Sequence, residues 1–369
     1  MRIARCEDLV SEEQINEIFE CLFSCTEVNK AEVQEFDLTK INYCTKDPDH
    51  LKFIPADKFC IHDILKPYQE KETFDFIKVC SDLTVRVYVP TISPNRPIYQ
   101  PGTQVKYSAC EDRGKNNPYT GTGIITDVFR VESYGKVCHC PNCISSETCK
   151  QICAEIWVDT AVHVVFDDFE AKNTSCRLFF ENEKSPLHVI QGQNVIDSDV
   201  RRDCCTLICS TCDKNLVSDL KDKLVVARKL KRCIYNLVDK PLPGEKMFVI
   251  ISHPHGTPKH ISVGSLVDKY EHENVFTQQF YNTPTCPGTS GAPVLIFGYK
   301  GWYSGFNHSG TDMDGKVNYS TIGFDHLSHP GNESLVKQSY GKQKTVFIFE
   351  AEPYLKDDWS EKSSQDSQN

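Results

Sequence analysis

A serine enclosed by glycines is the feature that most constrains how this chain can fold. The segment Pro287–Pro293 reads Pro-Gly-Thr-Ser-Gly-Ala-Pro and runs directly into the apolar stretch Val294–Phe297. Because glycine adopts backbone angles that other residues avoid, this pattern predicts a tight turn with converging backbone N–H groups ahead of a buried strand. A nucleophilic serine needs such N–H groups beside it to stabilise an oxyanion, so Ser290 is the candidate nucleophile.

A base and a carboxylate must accompany that serine, because Gly-x-Ser-Gly by itself also occurs in ordinary hairpin turns. His163 lies in the strand-like apolar run Val158–Val165, and Asp203 opens a run of small and apolar residues. Taken singly, His163 also fits a core histidine on a strand, and Asp203 fits a cap at a strand start. Asp197 and Asp199 compete for the carboxylate role, which we assign to Asp203 because the strand pattern follows it directly.

The chain order His163, Asp203, Ser290 resembles the catalytic triad of chymotrypsin-like serine proteases. Two other segments resemble the high-temperature-requirement type of trypsin-like peptidase. Gly121–Ile125 is similar to the opening Gly-Ser-Gly strand of that group, and Gly244–Gly264 is similar to its Gly-x-x-Val … Ser-x-Gly segment. The resemblance implies a mostly β fold, a chymotrypsin-like double antiparallel β-barrel.

The same resemblance implies a role for each residue. His163 is expected to act as the general base, while Asp203 fixes its tautomer and stabilises the imidazolium. The backbone N–H groups of Gly288 and Ser290 are expected to form the oxyanion hole. Catalysis by these groups requires no cofactor.

Departures from the digestive trypsins predict a different specificity and no need for activation. Thr289 stands where zymogen-activated members carry an aspartate that pairs with a new N-terminal amine, so we expect activity without N-terminal processing. Pro284 stands where trypsins carry the aspartate that selects basic residues, which argues against a preference for Lys or Arg. His308 resembles the substrate-pocket histidine that favours Glu or Gln in glutamyl endopeptidases and picornaviral cysteine proteases. A shift of one residue places Asn307 there instead, and the alternative for His308 is an exposed hairpin histidine.

Helical and proline-rich patterns surround the protease-like region. Ser11–Gln14 resembles a capping box and is followed by apolar residues at helical spacing. Pro90–Gly102 is rich in proline, which is typical of an extended linker. The predicted division is therefore a small α-rich N-terminal extension over 1–100, a protease domain over 101–350 with a Cys-rich insertion near 132–155, and a disordered tail over 351–369.

The net charge and the composition limit the classes of binding partner and the cellular compartment that we expect. The formal net charge of −10 argues against a nucleic-acid-binding surface and favours a protein or peptide substrate. The N-terminus has no apolar segment of signal-peptide length and no run approaches a membrane span, so we expect a cytoplasmic protein that binds no membrane. The 19 cysteines are then expected to be thiols or metal thiolates, an expectation that export by another route would reverse.

The Cys-rich insertion carries a spacing typical of zinc knuckles. Cys140 and Cys143, followed by Cys149 and Cys153, are the candidate ligands. Four thiolates complete the tetrahedral coordination of a zinc ion. Such a site would stabilise a loop that is too short to have its own core. Unligated thiols are the alternative, because cysteine is frequent throughout the chain.

These features predict a serine endopeptidase without trypsin-like specificity. The alternative is a catalytically silent protease-like module that binds or senses a partner. The pattern of the three triad residues argues against this alternative. The high cysteine content and the cysteines clustered around the strand near Asp203 are compatible with it. The oligomeric state is not determined by the sequence.

Overall fold

Strands dominate the residues that the computed structural model describes, which are 25–26, 29–30, 44–130, 154–237, 246–271, 276–298, 303–312 and 314–325. All of them belong to one unit of the chain, Met1–Leu327. In chain order the strands are β1 Cys25–Thr26, β2 Asn29–Lys30, β3 Ile54–Pro55, β4 Thr84–Val89, β5 Tyr119–Arg130, β6 Ala154–Thr160, β7 Ser175–Leu178, β8 His188–Asp199, β9 Cys204–Thr211, β10 Met247–Ser252, β11 His260–Glu271, β12 Phe276–Tyr281, β13 Val294–Phe297, β14 Tyr303–Ser304, β15 His308–Thr311, β16 Asn318–Ser320 and β17 Gly323–Asp325. The α-helices are α1 Lys71–Leu83, α2 Asp168–Asn173 and α3 Lys214–Leu237.

The first sheet closes into a barrel. Its strands pair in the order β5-β4-β7-β8-β9-β6, β6 pairs back to β5, and every pairing is antiparallel. Side chains alternate across each strand, so one face of β6 buries Ala154, Ile156 and Val158 completely inside the barrel. Strand β2 is added outside the ring, against β5.

The second sheet is a curled antiparallel half-barrel with the order β1-β15-β16-β12-β11-β10-β13. Its β10 is buried on both faces. Phe248 and Ile250 belong to the core of this sheet, whereas Val249 and Ile251 belong to the core shared with the first barrel and α1. This double burial explains why Met247–Ile251 is an uninterrupted apolar run. The predicted mostly β fold with two antiparallel barrel units is confirmed.

A long helix, α3, which the sequence analysis did not predict, lies between β9 and β10 in the chain. The buried residues Val217, Leu220 and Leu224 of α3 recur at the helical spacing of three and four and join the core cluster of the first barrel. Asp213 caps the helix, since its Oδ1 accepts the N–H groups of Asn215 at 2.9 Å and of Leu216 at 3.1 Å.

The residues before position 101 contribute directly to the barrels. Strand β4 lies in the closed ring, and Ile92 and Arg96 are buried, so Pro90–Gly102 packs against the barrel rather than linking two units. The predicted helix after Ser11–Gln14 and the tail over 351–369 lie outside the described residues, as does most of the Cys-rich insertion. Among the helices that are described, none has the length and apolarity to cross a bilayer.

We predict that Asp159 makes stability depend on pH. Burial raises the pKa of this β6 carboxyl group to about 6, although its Oδ1 accepts a hydrogen bond from Thr206 at 2.7 Å. The folded chain therefore holds a proton that the unfolded chain releases near pH 4, so stability falls as pH rises from about 4 to about 6. Asp159→Asn should be more stable than wild type above pH 6, by about 2 kcal/mol, and similar near pH 4.

Chemical denaturation between pH 4 and pH 7 measures this difference. Asp222→Asn on the exposed face of α3 is the matched control, for which we expect no pH-dependent difference from wild type. Parallel pH profiles for wild type and Asp159→Asn would contradict the assignment.

Candidate active site

His163 and Asp203 meet at one edge of the first barrel. His163 lies in the turn after β6, and Asp203 lies in the turn before β9, which is the antiparallel neighbour of β6. His163 Nδ1 lies 2.7 Å from Asp203 Oδ2 and 2.9 Å from Oδ1, and the His163 backbone N–H donates to Oδ1 at 3.1 Å. An ionised carboxylate accepts a hydrogen bond from Nδ1–H, which leaves Nε2 of the neutral ring as a hydrogen-bond acceptor.

The other two candidate carboxylates, those of Asp199 and Asp197, have different surroundings. Asp199 Oδ2 pairs with Arg202 Nε at 2.8 Å, and its Oδ1 accepts the N–H groups of Arg201 and Arg202. Asp197 is exposed. Asp203 itself adopts a left-handed backbone with φ 56°, a conformation that aspartate tolerates better than most residues. The carboxylate against His163 is therefore that of Asp203.

Ser290 lies in the loop between β12 and β13 and is connected to Asp203 through Ser309. Ser290 Oγ donates to the Ser309 carbonyl at 3.4 Å, and Ser309 Oγ donates to Asp203 Oδ2. The buried His163 Nε2 makes no hydrogen bond to the described residues, so it is not bonded to Ser290 Oγ. In enzymes, the hydrogen bond between a nucleophile and its base is often long until substrate binds. Sequence reasoning missed Ser309, although it had selected the two residues directly before it, Asn307 and His308.

Thr122 of the first barrel holds the nucleophile loop. The Thr122 N–H donates to the Ser290 carbonyl at 2.8 Å, and Thr122 Oγ1 donates to the Gly288 carbonyl at 2.8 Å. Gly291 has φ +82°, and a Cβ there would lie 2.1 Å from Thr160 Oγ1 and 2.2 Å from the Thr122 carbonyl. Only glycine fits this close approach, which explains the glycine after the serine.

Gly288, one of the two predicted oxyanion-hole donors, also requires glycine. Its φ is +98°, and a Cβ would meet the His253 carbonyl at 2.6 Å and the His255 nitrogen at 2.9 Å. The N–H groups on either side of Ser290 are directed to carbonyls, that of Thr289 to Cys286 at 2.9 Å and that of Gly291 to His308 at 2.7 Å. The oxyanion-hole assignment of Gly288 and Ser290 stays a prediction.

The three predicted pocket residues have different surroundings. Pro284 is half-buried, and its carbonyl accepts from Ser262 Oγ at 2.8 Å. Asn307 is buried, and its backbone N–H donates to Thr321 Oγ1 at 2.9 Å. His308 is fully buried rather than exposed on a hairpin, and its Nδ1 lies 2.8 Å from the hydroxyl of Tyr281, a residue that sequence reasoning missed.

A fully buried ion pair supports the turn that carries His163. Arg96 Nε lies 2.7 Å from Glu170 Oε1, and a second bond of 2.7 Å joins Arg96 Nη2 to Oε2. Arg96 Nη1 donates to the His163 carbonyl at 2.9 Å, and Glu170 Oε2 accepts the Phe166 N–H at 2.8 Å. Sequence reasoning missed this pair because it interpreted the segment around Arg96 as a linker.

The four cysteines of the predicted zinc knuckle, Cys140, Cys143, Cys149 and Cys153, lie outside the described residues. A separate group of possible metal ligands is described, comprising Cys44, His50, His255 and Cys286. None of these four was predicted as a ligand.

The chain has limited similarity to known proteins. No protein-family model matches it, and no curated protein matches its sequence. Similar solved structures include a protease of M. tuberculosis in its active form, with 10% identity and a TM-score of 0.35 over 67% of this chain and 78% of that one. A thermostable serine protease from an extremophilic microorganism has 12% identity and a TM-score of 0.33 over 66% of this chain and 92% of that one. An HtrA-type protease with a decapeptide has 12% identity and a TM-score of 0.35 over 67% of this chain and 62% of that one.

We predict that Arg96→Met is strongly destabilising. The substitution leaves the Glu170 carboxylate buried without its cation, at a cost of about 3 kcal/mol in the free energy of unfolding. The double variant Arg96→Met, Glu170→Met should recover part of this loss, because it leaves no buried charge. Lys106→Met, which breaks the exposed pair with Glu111, should leave the free energy of unfolding close to that of wild type, because water screens this pair.

Urea denaturation of the four chains measures these differences. A double variant at least as unstable as Arg96→Met alone would show that lost packing, and not the unpaired charge, dominates the effect.

Proposed function

We propose that this protein is a serine endopeptidase that hydrolyses peptide bonds with Ser290, His163 and Asp203. The observation that carries the proposal is the pair of contacts, 2.7 and 2.9 Å, between the Asp203 carboxylate and His163 Nδ1. Ser309 supports it further, since it contacts both Asp203 and Ser290. Three chemically complementary side chains from three distant segments thus belong to one connected group.

The proposed reaction follows from the chemistry of these groups. A serine hydroxyl is a weak nucleophile near neutral pH, so His163 Nε2 takes its proton as Ser290 Oγ attacks the peptide carbonyl. Asp203 stays ionised and stabilises the imidazolium, while the Gly288 and Ser290 N–H groups stabilise the oxyanion. His163 then gives the proton to the leaving amine. Water attacks the acyl-enzyme with His163 again as the base, and this step releases the second product.

The nucleophile loop is held by its own residues, which supports activity of the unprocessed chain. Thr289 is fully buried, and its Oγ1 accepts the Cys286 N–H at 3.2 Å. The Cys286 carbonyl in turn accepts the Thr289 N–H. No new N-terminal amine is needed at this position, because Thr289 carries no charge to be paired.

For specificity, we propose that His308 recognises Glu or Gln on the N-terminal side of the cleaved bond. When the Tyr281 hydroxyl donates to His308 Nδ1, the proton of the neutral ring lies on Nε2. An Nε2–H group donates a hydrogen bond to the side-chain oxygen of Gln or Glu. Pro284 offers no negative charge for Lys or Arg.

Fluorophosphonate labelling tests the nucleophile. We expect the full-length, uncleaved chain to form one adduct, which mass spectrometry places on Ser290 and which Ser290→Ala abolishes. Asp203→Asn should slow labelling by a factor on the order of 10⁴, because the carboxylate no longer fixes the tautomer of His163. Ser218→Ala, on the exposed face of α3, is the matched serine control and should label like wild type.

The same experiment discriminates the alternative function. A folded chain without an adduct would contradict the endopeptidase proposal and favour a silent module that binds or senses a partner. Labelling only after cleavage near residue 100 would contradict activity without processing.

A panel of fluorogenic peptides tests the specificity. We expect the highest kcat/KM for Gln or Glu before the cleaved bond, with a loss of about 10-fold or more for those peptides in Tyr281→Phe. The reason is that the phenylalanine no longer orients the His308 ring. Tyr270→Phe, at an exposed tyrosine of β11, is the matched control and should keep the wild-type preference. Equal kcat/KM values of the wild-type chain for all peptides would contradict the assignment of His308 to the substrate pocket.

A further inference from the structure

Two cysteines and two histidines meet behind the nucleophile loop. Cys44, His50, His255 and Cys286 each offer one ligand atom, and the four atoms all lie within 4.8 Å of one another. Cys44, His255 and Cys286 are buried, and His50 is half-buried. From this geometry we propose a structural zinc site, distinct from the proposed catalytic residues and from the cysteines of the insertion.

Three of the six separations between ligand atoms are close to the edges of a zinc tetrahedron. The two sulfurs are 3.5 Å apart, the two histidine Nε2 atoms are 3.1 Å apart, and Cys286 Sγ lies 3.5 Å from His50 Nε2. Zn–S bonds of about 2.3 Å and Zn–N bonds of about 2.0 Å at tetrahedral angles place these pairs about 3.8, 3.3 and 3.5 Å apart. A disulfide does not explain the sulfur pair, because an S–S bond is about 2.05 Å long.

The ligand chemistry selects zinc and a structural role. Two thiolates balance the charge of one Zn²⁺, and the set contains no carboxylate that would favour a harder cation. The Asp47 N–H lies 3.5 Å from Cys44 Sγ, which suits a sulfur that carries negative charge. Phe53 packs beside the ring of His50 and, with both cysteines, forms a small apolar cluster. Four protein ligands leave no open position for substrate.

The backbone is strained at both histidines. His50 has φ 48° and His255 has φ 54°, in the left-handed region that residues other than glycine seldom adopt. Strain of this kind persists only where surrounding interactions enforce it, and it is concentrated at ligand clamps and functional sites. A metal bound by both rings supplies such an interaction.

The site joins two other segments, one with Cys44 and His50 and one with His255, to the loop that carries Cys286 and Ser290. His255 donates its backbone N–H to the Pro287 carbonyl at 2.5 Å, and Cys286 exchanges two hydrogen bonds with Thr289. The segment from Cys44 to His50 is tied to the same sheet by Lys46 Nζ, which donates to Thr285 Oγ1 at 2.6 Å and to Asn318 Oδ1 at 2.7 Å. Zinc would therefore fix the nucleophile loop from behind without touching substrate.

Elemental analysis of the full-length chain, purified with zinc and then freed of excess metal, tests the site. We expect Cys44→Ser and His50→Ala to lose one equivalent of zinc relative to wild type, whatever the insertion binds. His50→Cys should retain that equivalent, because a thiolate replaces the imidazole as ligand. Cys60→Ser, at an exposed cysteine of the neighbouring segment, is the matched control and should bind zinc like wild type.

Cobalt provides a second readout of the same ligands. Co²⁺ added to the metal-free chain should give a thiolate charge-transfer absorption. Cys44→Ser should weaken this absorption. Cys140→Ser should leave unchanged the part of the absorption that comes from the proposed site. Unchanged zinc content in Cys44→Ser would overturn the proposal. Should that variant not fold, thermal unfolding of a chain that keeps all four proposed ligands decides. Chelator should lower Tm and zinc should restore it in a Cys140→Ser, Cys143→Ser background, and a Tm indifferent to chelator would overturn the proposal. These readouts do not depend on whether Ser290 is reactive.

Discussion

The close approach of Gly291 to the first barrel is the contact on which the candidate site depends. The loop that carries Ser290 belongs to the second sheet, whereas His163 and Asp203 belong to the first. A side chain at position 291 would collide with Thr160, the last residue of β6. Because only hydrogen occupies that space, the serine loop lies directly against the strand that ends just before His163.

Support on both sides of this contact holds the proposed catalytic residues in place. On the first barrel, the buried Arg96–Glu170 pair holds the backbone of the histidine turn. On the second, Thr122 and the residues around Cys286 hold the serine loop. Reactive groups gain from such support because their geometry is set before substrate arrives, so less ordering is needed in the transition state.

The first hundred residues contribute to both halves of the fold. Strand β4 completes the closed ring, Arg96 lies beneath the histidine turn, and the segment around His50 packs against the second sheet. Short antiparallel pairings extend this pattern, since β1 adds to β15 and β2 adds to β5. A substitution of Arg96 or His50 would therefore reach the candidate site through packing.

The sequence by itself determined the β architecture and the candidates His163, Asp203 and Ser290, because strand periodicity, glycine-bounded turns and motif order are local properties of a chain. Only the tertiary structure decided that Asp203 rather than Asp199 faces His163, that Ser309 and Tyr281 are partners of Asp203 and His308, and that Arg96 is buried. It also brought Cys44 and His50 to His255 and Cys286. These contacts join segments far apart in the chain, and no local pattern encodes which distant side chains a folded core brings within a few ångströms.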